Sequence, residues 1–226
     1  MERTLYHFPL DPASRQARLA LGELKLPFEA IVVRYWEGPE DFARLSPSGL
    51  TPVLTETEGG RRLVVSEIRA ILEHLDEQHA HAALMGRDPA ERAETRRLMQ
   101  WFDRKFDAEV QGLLLHEKLE KRLTKMGAPD LSNMRLGREA LRAHLAYLET
   151  LLADRDWLVG RRLTLADFAA AAHISVLDYF GDIPWREIPS AKTWYMKLKS
   201  RPCFRPLLAD RWPGLAPAAH YDDLDF

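Results

Sequence analysis

A single cysteine, Cys203, among 226 residues leaves no partner for an internal disulfide. That excludes the small cross-linked scaffolds of secreted domains. Long apolar runs are missing too. The most apolar stretch, residues 163–177, is interrupted by Asp167 and His173 and is too short to cross a bilayer, so no membrane insertion is expected. Residues 1–8 bring charge at Glu2 and Arg3 with no apolar segment behind them, so no signal peptide is read. Neither sign of charge dominates: 34 acidic and 32 basic side chains leave a net charge of −2. A broad electrostatic grip on nucleic acid is thereby excluded. Gly-x-Gly-x-x-Gly, Gly-x-x-x-x-Gly-Lys and Gly-x-Ser-x-Gly are all absent. What is present, 46% apolar and 29% charged residues, suits a cytoplasmic globular protein with a real core.

The pattern divides near residue 80. Residues 4–8 read as a strand, 14–24 as a helix, 28–33 as a strand and 39–45 as a short helix. Gly59-Gly60 marks a hairpin between strands at 52–55 and 61–65. Ile68, Ile71, Leu72 and Leu75 then mark a helix. From Asp88 onward the reading is helical throughout. Asp88-Pro89-Ala90-Glu91 is a helix start, and Thr164-Leu165-Ala166-Asp167 is a capping box. Further helices are expected near 135–153 and after Pro189. The boundaries are an α/β domain at 1–80, a linker at 81–87, an all-helical domain at 88–212 and a tail at 213–226.

Candidate chemistry is sparse. His74, His79 and His81 cluster at a helix end, without a cysteine or the spacing of a closed zinc site, so no metal is expected. Cys203 reads as an apolar filler at a helix stop rather than a nucleophile.

A β-α-β-α-β-β-α half followed by a helical half resembles the glutathione S-transferase fold, a thioredoxin-like domain joined to an all-α domain. Ser48-Gly49-Leu50-Thr51-Pro52-Val53-Leu54 resembles the family's cis-proline loop, which assigns that role to Pro52 and places the Thr51 backbone against the cysteinyl part of glutathione. Trp157-Leu158-Val159-Gly160 and the capping box fit as well. The resemblance also locates what is missing. Thiolate stabilisation needs a hydroxyl or thiol, but Asp11, Pro12 and Ala13 stand where the serine and cysteine classes carry it. In the tyrosine register the residue is His7, with Tyr6 one position away on the opposite strand face. Ser14 and Tyr6 remain as weak catalytic candidates, and Ser14 otherwise reads as a helix N-cap. At the γ-glutamyl anchor the family's Glu-Ser is Glu67-Ile68, losing a charged hydrogen bond of roughly 1.5–3 kcal/mol. Thr51, Pro52, Glu67 and Ile68 thus form a vestigial glutathione site, and no cofactor is expected.

Three segments resemble a narrower branch of that family, the GST-like division proteins of alphaproteobacteria that bind FtsZ. They are Arg34-Tyr35-Trp36-Glu37-Gly38, Asn133-Met134-Arg135-Leu136-Gly137-Arg138-Glu139 and His220-Tyr221-Asp222-Asp223-Leu224-Asp225-Phe226. The resemblance implies a homodimer at the division site that binds FtsZ filaments, alters their curvature or bundling, and contacts other division proteins. Trp36, Arg138, Asp223, Leu224 and Phe226 are the expected partner residues, with Trp36 exposed in its loop. The alternative is an enzyme conjugating glutathione to electrophiles, with glutathione as its cofactor. That reading must explain Asp11 and Ile68.

Overall fold

The structure is a computed structural model, and it describes residues 1–225. Phe226 lies outside the described residues. The N-terminal half is a four-stranded sheet in the order β2-β1-β3-β4, built from β1 (Glu2–His7), β2 (Glu29–Val32), β3 (Val53–Glu58) and β4 (Arg61–Ser66). Strands β1 and β2 run parallel across helix α1 (Pro12–Glu23), while β1–β3 and β3–β4 are antiparallel. The Gly59-Gly60 turn joins β3 to β4 as read, both glycines at positive φ. Helices α2 (Glu40–Leu45) and α3 (Ile68–Gln78) complete this half. The Thr51–Pro52 bond is cis.

The second half opens on a long helix, α4, over residues 89–124, capped by the Asp88 side chain on the Ala90 and Glu91 amides. It widens into π-type turns at Trp101–Gln111 and His116–Glu120, which the periodicity did not foretell. Helix α5 spans Leu131–Leu152, starting four residues before the expected position because Asp130 caps it. Helix α6 (Leu165–Tyr179) is buried on every side; most of its circumference is apolar, and its buried Asp167, Ser175 and Asp178 are hydrogen-bonded. Helix α7 (Pro189–Lys199) reaches it through Trp194 on Asp167 and Tyr195 on Asp178, and the short α8 (Arg205–Leu208) follows.

Asp167 fixes the start of α6. Its carboxylate accepts from the Thr164 amide (2.8 Å), the Leu158 amide (2.9 Å) and Trp194 Nε1 (2.9 Å). One buried group thus ties the capping box, the preceding turn and α7 together. No helix among the described residues is long and apolar enough to cross a membrane.

Glu117 does the same for the α4–α5 connection. It accepts from Asn133 Nδ2 (3.0 Å) and the Asp130 amide (2.7 Å) and pairs with Lys121 Nζ at 2.6 Å. Those donors, Asn133 first and Lys121 next, hold its carboxyl down to about 2. A depressed folded-state value stabilises the protein above the unfolded-chain value of about 4.3. That contribution is lost as the pH falls toward 2. The melting temperature should therefore drop over this window, and Glu117→Gln should lower it at pH 7 while shrinking the acid-side drop. An unchanged acid profile in Glu117→Gln would contradict the assignment.

Candidate functional site

A cleft of about 330 Å³ lies between the two halves, at the N-termini of α1 and α3. From the first half it is lined by Asp11, Pro12, Ala13, Gln16, Tyr35, Thr51, Glu67 and Ile68. This brings together the positions expected for thiol activation with Thr51, Glu67 and Ile68 of the vestigial site; Pro52 itself is not among its walls.

Its centre is Asp11. The residue caps α1, a role the sequence reading gave to Ser14: Oδ1 accepts from the Ala13 amide (3.1 Å) and Oδ2 from the Ser14 amide (3.0 Å). The same Oδ2 accepts from Ser14 Oγ (2.6 Å) and Thr51 Oγ1 (2.8 Å). Ser14 Oγ in turn accepts from the Phe8 amide at 3.1 Å, and its side chain is wholly buried. Ser14 therefore bonds inward and is not a wall of the cleft. Burial pushes the Asp11 carboxyl up, against the pull of the Ser14 and Thr51 hydroxyls. A thiolate arriving here meets an acceptor whose neighbouring hydroxyl protons are already committed.

Tyr6 is elsewhere. It sits in a separate groove with Ile31, Val33 and Phe42, its ring 6.4 Å from that of Phe42. His7 is buried behind the cleft, and burial together with the nearby Arg18 charge lowers it to about 4. Neither offers a donor to a ligand in the cleft. Helix α3 begins without a side-chain cap, after Glu67 at φ +70°. A left-handed non-glycine residue costs of order 1–3 kcal/mol. The free amides at this helix start favour an anion, but the hydrocarbon of Ile68 stands where a hydroxyl would complete the site. Ser66 closes β4 opposite Val53, outside the cleft walls.

The second half supplies walls the sequence reading missed. Asp103, Asp107, Gln111, Leu115 and Leu119 fall every fourth residue along α4, joined by Glu120 and by His173 of α6. The four-residue spacing of polar side chains beside Phe102, Phe106 and Val110 was the available signal.

The expected partner residues separate. Trp36 is a correction: it is half-buried, edge-on to Phe8 at 5.0 Å and to Trp212 at 6.0 Å, so the aromatic cluster claims it. Arg138 is exposed on α5, its Nε 3.6 Å from Asp182. Asp223 and Leu224 are exposed, but the tail before them docks. Tyr221 is wholly buried, accepts from Arg15 Nη1 (3.0 Å) and donates to the Leu207 carbonyl (3.1 Å). Cys203 is buried, and burial with the Glu23 carboxylate pushes its thiol up to about 12, in keeping with a filler. His74 pairs with Glu56 at 2.8 Å, and no metal-binding cluster is found among the described residues.

The family model for the glutathione S-transferase N-terminal domain matches residues 12–78, and that for the C-terminal domain matches residues 135–202. The chain belongs to the glutathione S-transferase family. Within it, the chain is 72% identical over 226 residues to FtsZ-localized protein A of Caulobacter vibrioides, covering all of this chain and 99% of that one. A solved structure of FzlA from C. crescentus superposes with a TM-score of 0.99 over the whole of both chains. A glutathione S-transferase from Rhodospirillum rubrum F11 is 46% identical, with a TM-score of 0.94 over 99% of this chain and all of that one.

Asp11 and Ile68, at the positions the family resemblance assigns to thiol activation and the carboxylate anchor, both line the cleft, so glutathione should bind poorly. Titration calorimetry at glutathione concentrations up to about 1 mM should give no saturable heat. Micromolar binding would contradict this reading of the cleft.

Proposed function

We propose that this chain is a non-catalytic member of the family that binds FtsZ filaments, alters their curvature or bundling, and so regulates constriction at the division site. The observation that carries the proposal is end-to-end likeness to FtsZ-localized protein A, which extends through the loop at 34–38, the start of α5 and the tail. The cleft supports the non-catalytic part, because Asp11 occupies the thiol-facing position and holds both nearby hydroxyls.

A surface for the filament is available around Arg138. A Cβ placed on Gly181 would come within 3.3 Å of Ala218 Cβ, so the docked tail runs beside the turn that bears Asp182. Asp182 faces Arg138, so Arg138, Asp223 and Leu224 are offered as the partner residues. Trp36, half-buried against Phe8 and Trp212, belongs to a separate cluster and is not offered as a contact. A homodimer and contacts with other division proteins belong to the same proposal.

Co-sedimentation with polymerised FtsZ tests it. The wild-type chain should pellet with filaments, and Arg138→Ala and Leu224→Ala should pellet less while keeping their melting temperature. Failure of the wild type to pellet would overturn the function; wild-type levels in both variants would overturn the surface. Light scattering should give about twice the 26.0 kDa chain mass at micromolar concentration, and a monomer mass would remove the dimer from the proposal.

A further inference from the structure

A pocket of about 380 Å³ lies between the loop at 34–38, the C-terminal end of α4 and the start of the tail, and it shares no wall with the cleft. Arg34, Arg122 and Lys125 line it against a single carboxylate, Glu37. Glu37 is already committed to Arg34, at 3.2 Å. Arg122 and Lys125 are exposed, and neither has an ion-pair or hydrogen-bond partner among the described residues. Cations at the C-terminal end of a helix answer its dipole and need no ligand on that ground alone. Here that end is already partly satisfied. The Lys121 carbonyl accepts from the Lys125 and Met126 amides, and the Glu120 carbonyl accepts from Thr124 Oγ1 at 2.7 Å.

A second observation is independent of the charge. Trp36 and Trp212 also wall the pocket, edge-on at 6.0 Å, and neither indole N–H donates to an acceptor among the described residues. An indole is a donor only, as are guanidinium and ammonium groups. The polar side chains here are therefore donors, save for one carboxylate that is already paired. Their complement is an anion rich in acceptors.

A third observation fixes the form of that anion. Arg34, Glu37 and Trp212 are shared with the apolar groove that holds Tyr6, so the two cavities adjoin. The groove, of about 640 Å³, is walled by Ile31, Val33, Phe42 and Leu45 and borders β2, an edge strand of the sheet. Its other carboxylate, Asp41, lies 3.6 Å from Arg44. An edge strand leaves its outer amides and carbonyls open to a further extended chain. An apolar groove, an open strand edge and a cationic mouth in succession suit a polypeptide rather than a small anion. We infer that this surface binds an extended acidic protein segment, its apolar side chains in the groove of Tyr6, Ile31 and Leu45 and its carboxylates on Arg34, Arg122 and Lys125.

The inference rests on this surface alone and not on FtsZ binding. The probes are fluorescein-labelled decapeptides that alternate valine with threonine in one half and aspartate with glutamate in the other, made in both orders. Each is titrated with the isolated full-length protein and followed by anisotropy. Saturable binding by at least one order is expected, half-saturated below about 100 μM and weakening as salt rises. Arg122→Gln/Lys125→Gln should weaken it by about tenfold or more at an unchanged melting temperature. Arg61→Gln/Arg62→Gln, the same change of charge at exposed positions of β4, should leave it as it was. Peptides with asparagine and glutamine for the acids, or with serine for the valines, should bind at least about tenfold more weakly. No saturable binding by either order, equal binding by the uncharged or serine peptides, or equal weakening by the two double variants would each overturn the inference. Displacement of the peptide by an equal concentration of inorganic phosphate would make this a small-anion pocket and overturn it as well. Loss of all peptide binding alongside intact FtsZ co-sedimentation would remove only this inference.

Discussion

One carboxylate decides what this scaffold can do. Asp11 ends the backbone of α1 by accepting two of its free amides, and the same group takes the hydroxyls of Ser14 and Thr51. In a glutathione transferase the start of this helix must offer a donor to a thiolate. Here the first amides of α1 and the hydroxyls of Ser14 and Thr51 all point at Asp11. The cap and the acceptor at the cleft are thus one interaction: the helix gains a strong N-cap, worth about 1 kcal/mol, and the cleft gains a carboxyl group in place of a free donor. The remaining cleft walls follow in kind, with further carboxylates on α4 and hydrocarbon at Ile68.

Behind Asp11, α1 is anchored by cations. Arg15 is wholly buried and reaches the Pro9 carbonyl, Ser175 of α6, Tyr221 of the tail and Asp210. Arg18 forks onto both oxygens of Asp210, at 2.8 and 2.9 Å. A buried guanidinium is tolerated when its donors are all matched. This network draws the tail onto the domain and joins the two halves, so the residues that flank the cleft also fix the surface beside Arg138.

Local signals made most of the fold legible. The Asp88 cap, the Thr164–Asp167 box and Gly59-Gly60 each depend on residues within four positions, and each forms as read. Where two cap formers compete, sequence alone chose badly: Asp11 and Ser14 both suit an N-cap, and the loop bearing Thr51, forty residues on, rewards Asp11. Asp130 was passed over for the same reason, since its support from Glu117 comes across the helix pair. Trp36 looked free because Trp212, its partner, is remote in the chain. Loss at Glu67-Ile68 was readable only through the family resemblance. The carboxylates of α4 carried a regular four-residue spacing, but that this face lines the cleft follows from how the two halves pack, which no local signal records.

Steady-state turnover of a chlorodinitrobenzene substrate with glutathione tests the central claim most directly, that the cleft has exchanged thiolate chemistry for a committed carboxylate. The account predicts a wild-type rate equal to the uncatalysed background at every glutathione concentration. Saturable turnover above background by the wild-type protein would contradict it.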